Sequence, residues 1–85
     1  MRARVVVMPK AGVLDPQGRA VLGGLRSLGF GEVEEVRVGK EIVLILDDMP
    51  APEAEAKVRE MCEKLLANPV IEDFKYTLER GDERG

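Results

Sequence analysis

Two segments punctuate helices in the two halves of this chain, and they constrain its fold more than any other feature. Gly12-Val13-Leu14-Asp15-Pro16-Gln17-Gly18 opens a helix, and Leu65-Leu66-Ala67-Asn68-Pro69-Val70-Ile71-Glu72 closes one. The Asp15 carboxylate can accept the orphan amide hydrogens of a first turn. Pro16 suits the first helical position, where its missing N–H costs nothing. Asn68 is the residue that, after glycine, most readily adopts the left-handed conformation behind a helix, and Pro69 stops the helix from running on.

Around these devices the hydrophobic pattern orders the other elements. Val5-Val6-Val7 reads as a short buried strand, and helix one carries Val21, Leu22, Leu25 and Leu28 on one face. Gly29 suits the position after that helix, with Phe30 packing back on Leu25 in a Schellman cap. Glu35 to Val38 predicts strand two, starting late or with a bulge because Val33 and Val36 fall on opposite faces. Gly39-Lys40 reads as a type II′ hairpin turn leading to strand three, Glu41 to Asp47. After the breaker-rich Met49-Pro50-Ala51-Pro52, helix two runs from about Glu53 to Ala67 and buries Ala54, Val58, Met61, Cys62 and Leu65. Its outer face pairs Glu53 with Lys57, Glu55 with Arg59 and Glu60 with Lys64. Strand four, Ile71 to Leu78, turns Phe74, Tyr76 and Leu78 to one side and Lys75 and Thr77 to the other.

The expected order is therefore β-α-β-β-α-β, an α+β ferredoxin-like two-layer sandwich with a four-stranded sheet and two helices on one face. Strands one and three, the two continuous apolar runs, take the centre. Residues 1–80 form one domain, and the charged tail Gly81 to Gly85 is expected to be disordered. A chain of 85 residues buries only about 60–65% of its unfolded surface. With both helices on one face, Val6 and Val43 or Ile45 (or their alternates) point outward from the other. The economical cover is another copy of the chain, as a homodimer or a dimer of dimers.

Chemistry is bounded mainly by what is missing. The net charge of −3 and a set of aromatics limited to Phe30, Phe74 and Tyr76 argue against nucleic acid, which needs a basic surface and stacking platforms. The apolar run from Val5 ends at Pro9-Lys10, too short for a signal-peptide core, and nothing approaches a membrane span. With one cysteine the default compartment is the cytoplasm. The absence of histidine removes His-based acid–base catalysis, nucleophilic dyads and the usual zinc sites. Cys62, on the apolar stripe of helix two, reads as a small buried hydrophobe. The adjacent acids Asp47-Asp48 and Glu34-Glu35 point to opposite faces of a strand and so do not share an ion. Gly29-Phe30-Gly31 follows a helix rather than a strand, which is the wrong context for a phosphate loop. Gly23-Gly24 costs a helix interior about 2 kcal/mol; either helix one packs closely on the sheet there, or it offers a flat surface to a partner. Binding module, regulatory domain and accessory subunit all remain open on residue chemistry.

The segments Gly12 to Gly18, Leu28-Gly29-Phe30, Val36-Arg37-Val38-Gly39-Lys40 and Met61 to Glu72 closely resemble the PurS family, the small subunit of phosphoribosylformylglycinamidine (FGAM) synthase in de novo purine synthesis. The resemblance spans roughly residues 4 to 79. It implies a non-catalytic subunit with no cofactor of its own. It also implies two partner subunits: a glutaminase that frees ammonia from glutamine, and a synthetase that uses ATP and Mg. Lys10, Asp15, Gln17, Arg37, Lys40 and Asn68 lie within or beside the matched motifs and are the candidate partner contacts; Asp15 and Asn68 are explained equally well as caps. The alternative is an ACT-like regulatory domain binding a small effector at a homodimer interface, although no glycine-bearing effector loop is evident. An acylphosphatase-like enzyme would need an arginine after strand one, where Lys10-Ala11-Gly12 has none.

Overall fold

The computed structural model describes residues 1–79; the tail expected to be disordered lies outside them. The chain forms β1 (Arg2–Pro9), α1 (Pro16–Ser27), β2 (Lys40–Ile45), α2 (Ala51–Met61) running into a π-helical turn (Cys62–Leu66), and β3 (Glu72–Glu79). Among the described residues the sheet has three strands in the order β2-β1-β3, with β1 antiparallel to both neighbours.

The period-2 alternation of the strands sorts the two faces. Ala3, Val5 and Val7 of β1 are fully or almost fully buried. The register sets Leu44 and Leu78 beside Ala3, and Ile42 and Tyr76 beside Val5. Val58 and Cys62 of the second helix close over this face and complete the core, with Phe74, Tyr76 and Leu78 packed against it. The opposite face carries Val6, Val43 and Ile45, as the alternation requires, but it is not wholly apolar. Arg4 bridges to Glu41 at 2.6 Å, and Arg2 to Glu79 at 2.7 Å, so cross-strand ion pairs occupy much of it.

Helix two departs from the expected stripe at its end. Ala54, Val58 and Cys62 are buried at α-helical spacing, but Leu65 is 82% exposed. The π turn is the cause. An i→i+5 turn holds more residues than an α turn, and the amide of Ala67 donates to the Cys62 carbonyl at 3.0 Å. The inward position after Cys62 therefore falls on Leu66 and Ala67 rather than on Leu65. Asn68 is not left-handed; among the described residues only Gly12 and Gly29 have positive φ. Instead its side-chain oxygen accepts from the Val70 amide at 3.1 Å, an Asx turn.

The larger correction concerns residues 10–39. Strand two is not formed: the segment from Val33 to Gly39 makes no sheet ladder, so the four-stranded sheet with two helices on one face is not seen within one chain. Nor is Gly39-Lys40 a type II′ turn, because Gly39 lacks positive φ. Glycine is needed there for another reason. A Cβ on Gly39 would collide with the Val7 carbonyl and the Met8 side chain, so the chain passes close to β1 on its way into β2.

In place of the hairpin, α1 leads away from the sheet and an extended segment returns beside it. Three contacts fix that pairing. Arg26 donates to the Val33 carbonyl at 3.1 Å, Gly18 abuts the Val36 carbonyl, and the Val38 amide donates to Asp15 at 2.9 Å. The C-terminus of α1 is the expected Schellman cap, with Gly29 donating to Arg26 and Phe30 to Leu25, both at 3.0 Å. The result is an arm. The radius of gyration is 16.4 Å and the longest extent 49 Å, against about 12 Å for the radius of a compact domain of this length.

Candidate partner-binding surface

β1 ends where β2 and β3 begin. Lys40 lies opposite Val7, and Glu72 opposite Pro9. Both joints of the arm, residues 10–15 and Gly39, meet the sheet at this end. All six candidate contact residues are gathered here, although they span 58 positions of sequence from Lys10 to Asn68.

Their roles separate once their partners are named. The Asp15 carboxylate caps α1 through the Gly18 amide at 3.0 Å and ties down the Val38 amide at 2.9 Å. The amides of Val38 and Gly18, helped by Gln17 and the Arg37 charge, hold its carboxyl below the usual aspartate range against the opposing effect of burial. Asp15 is thus a clamp between helix and returning segment. Arg37 donates to the Pro9 carbonyl and fastens the same segment to the end of β1. The Lys10 ammonium pairs with Asp73 at 2.8 Å, while its amide donates to the Ile71 carbonyl at 2.8 Å. Asn68 organises the turn before β3, its amide donating to the Glu72 carboxylate at 2.7 Å. Gln17, Arg37, Lys40 and Asn68 are exposed, and Lys10 and Asp15 are half-buried.

Sequence reasoning missed the apolar part of this surface. Val70 is 79% exposed and Leu14 67%, with Leu65 and Ile71 also open to solvent. All four stand in the quoted punctuation motifs, but an apolar residue within a motif reads as core unless its loop position is known. Large apolar side chains rimmed by polar groups are the composition of a protein-contact surface. A second exposed element runs along the arm. Val21 on α1, and Leu14 and Leu28 just beyond its two ends, are 45%, 67% and 75% exposed. Gly23 and Gly24 each have open space where a Cβ would stand. Neither glycine marks close packing of α1 on the sheet of its own chain.

The remaining chemistry is quiet. Cys62 is fully buried, and burial, followed by the nearby Glu63 charge, pushes its thiol above the ordinary range, which disfavours the thiolate. Among the described residues no group of three or more His, Cys, Asp or Glu is placed to hold a metal ion. No described helix is long and apolar enough to cross a membrane.

Comparison with known proteins identifies the setting. Residues 2–80 match the family PurS, phosphoribosylformylglycinamidine (FGAM) synthase. The chain is 46% identical over 78 residues to the phosphoribosylformylglycinamidine synthase subunit PurS of Bacillus subtilis, covering 92% of each. The crystal structure of B. subtilis PurS superposes with a TM-score of 0.84 over 93% of this chain and 98% of that one. A chain in the structure of PurLQS from Thermotoga maritima superposes with a TM-score of 0.80 at 30% identity, covering 89% of this chain and 93% of that one. These matches displace the ACT-like alternative. The chain belongs to the PurS family and is the PurS subunit of FGAM synthase, an enzyme of purine biosynthesis.

Proposed function

We propose that this chain assembles the glutaminase and ATP-dependent synthetase subunits of FGAM synthase, supports ammonia transfer between them, and contributes no catalytic group of its own. The observation that carries the reading is the likeness to a chain of PurLQS from T. maritima, a PurS held in a larger assembly. The gathering of Lys10, Gln17, Arg37, Lys40, Val70 and Ile71 at one end of the sheet supports it, because an apolar patch with a basic rim suits protein docking. Glutamine, ATP and Mg are used by the partner subunits, the setting is the cytoplasm, and the chain works as a homodimer or a dimer of dimers. A scaffold of this kind raises the effective concentration of a transferred intermediate without adding chemistry.

The test is reconstitution. The purified chain is mixed with the cognate glutaminase and synthetase, and FGAM formation is followed with glutamine or with ammonium as nitrogen source. The expected result is a strong requirement for this chain with glutamine and a weaker one with ammonium, because free ammonia bypasses the transfer. Equal rates with and without the chain on glutamine would end the scaffold reading.

A further inference from the structure

We propose that the turn from Asn68 to Glu72 is a preformed docking knob. Its Val70 side chain enters an apolar pocket on one of the two partner enzymes, and Asn68 and Glu72 act as positioning residues that hold the turn in its docking shape. The inference rests on the scaffold reading above and names the element that makes one of its contacts.

The turn is held rigid from within. The Asn68 amide donates to the Glu72 carboxylate at 2.7 Å, and the Val70 amide to the Asn68 side-chain oxygen at 3.1 Å. The Asn68 carbonyl accepts from the amides of Ile71 at 3.1 Å and Glu72 at 2.8 Å. Pro69 has no amide hydrogen and fixes its own φ. Every backbone amide of the turn is thus bonded within the chain. The Ile71 carbonyl accepts from the Lys10 amide at 2.8 Å, which ties the turn to the end of β1.

What this rigid frame presents is apolar. Leu65, in the π turn before Asn68, and Val70 after it are 82% and 79% exposed, the most exposed large apolar side chains among the described residues. The frame spends its polar groups on itself and leaves the Val70 side chain in water. Ordering costs little on docking when the backbone is already fixed, which is the condition for an effective anchor.

The pocket that fits belongs to a different protein rather than to a second copy of this chain. The groove beside α2 is lined by Glu55, Arg59, Glu60, Glu63 and Lys64. The cleft between α1 and the returning segment sets Arg19, Glu34 and Glu35 beside Leu14 and Leu22. Seating Val70 in either would strip water from charged groups without replacing it. Lys40, at the same end of the sheet, makes no ion pair among the described residues. The complementary pocket is therefore apolar, with a carboxylate on its rim.

The test follows binding by anisotropy of the labelled full-length chain, titrated with the two partner enzymes in the presence of glutamine, ATP and Mg. Val70→Ala removes two methyl groups that lie mostly in water. Its melting temperature and self-association should match the wild type, while binding weakens roughly tenfold. Glu72→Ala should weaken binding as well, and Glu72→Gln, which keeps an acceptor for the Asn68 amide, should restore it. A photoreactive benzophenone side chain at position 70 should cross-link to one of the two enzymes. Unchanged binding by Val70→Ala would overturn the knob and leave the scaffold reading standing. So would a cross-link to a second copy of the chain, or loss of self-association in place of enzyme binding. Failure of Glu72→Gln to restore binding would remove the positioning role of its hydrogen bond. A wild-type chain that does not bind the enzymes at all would end the scaffold reading and the knob together.

Discussion

Two glycines in α1 should answer the same substitution with opposite signs. Gly18 is buried, and a Cβ there would run into the Val36 carbonyl and the Asp15 carboxylate. Neither neighbour can give way easily. The carbonyl is backbone, and the carboxylate is held by the Gly18 and Val38 amides at 3.0 and 2.9 Å. Gly18→Ala gains about 1 kcal/mol of helix propensity. Against that stands overpacking of about 1–3 kcal/mol, toward the upper end where backbone must move. The net is a loss of about 2 kcal/mol. Gly23 meets nothing within 4 Å, so Gly23→Ala should keep the whole propensity gain of about 1 kcal/mol. For a chain of this size 1 kcal/mol moves the melting temperature by about 4–8 °C. The pair should therefore lie roughly 12–24 °C apart in thermal unfolding followed by circular dichroism at one fixed concentration. Hydrogen exchange should place the Gly18→Ala loss in residues 16–38 rather than in β1. Equal melting temperatures for the two variants would refute the contact between α1 and the returning segment on which the arm depends.

Asp15→Asn should destabilise the arm in a pH-dependent way. Its carboxyl is lowered in the folded state, so the wild-type advantage is fully present above the ordinary value of 3.8 and fades as pH falls through the folded-state value. A difference that is constant from pH 7 to pH 3 would count against the clamp. Val58→Ala removes a fully buried side chain and should cost about 2–3 kcal/mol in urea unfolding; a shift below 1 kcal/mol would mean that the core closes over the gap. Cys62 should resist alkylation in the native state and react on denaturation, whereas rapid native labelling would contradict its burial. Lys40→Glu and Val70→Glu should each leave fold and self-association intact yet weaken binding to the partner enzymes at least tenfold, read by calorimetry. Unchanged binding by both variants would clear this end of the sheet of a docking role.

The parts of the fold that rest on local chemistry were legible in the sequence. Asp15 and Pro16 start α1 as expected, and Gly29 with Phe30 makes the Schellman cap bond for bond. The alternation of Phe74, Tyr76 and Leu78 against Lys75 and Thr77 is the alternation of β3. Where one residue type serves two physical needs, reading by motif chose the wrong one. Gly39 reads as a turn glycine because tight turns favour it, but close approach to the Val7 carbonyl demands glycine equally and needs no positive φ. Asn68 suits both a left-handed cap and an Asx turn, and the π turn ahead of it settles the choice. That turn has no signature in Cys62-Glu63-Lys64-Leu65-Leu66, so α-helical spacing places Leu65 in the core where the π turn exposes it.

The placement of α1 was illegible for a different reason. A period of 3.6 residues shows that a helix has an apolar face, but not whether that face meets the sheet. Val21 and Leu28 satisfy the pattern equally well in a closed chain and in one whose arm projects. What distinguishes the two is the path of the chain at its two joints, and there a single glycine pressed on β1 outweighs the turn propensity of the Gly-Lys pair. The candidate site follows from the same geometry. Lys10, Arg37 and Asn68 are polar residues within or beside motifs that are separate only in sequence. Each is a place where the chain enters or leaves the sheet at its one shared end. The residues that hold the arm in place are therefore the ones that shape the surface offered to a partner, so variants that loosen the arm should weaken assembly.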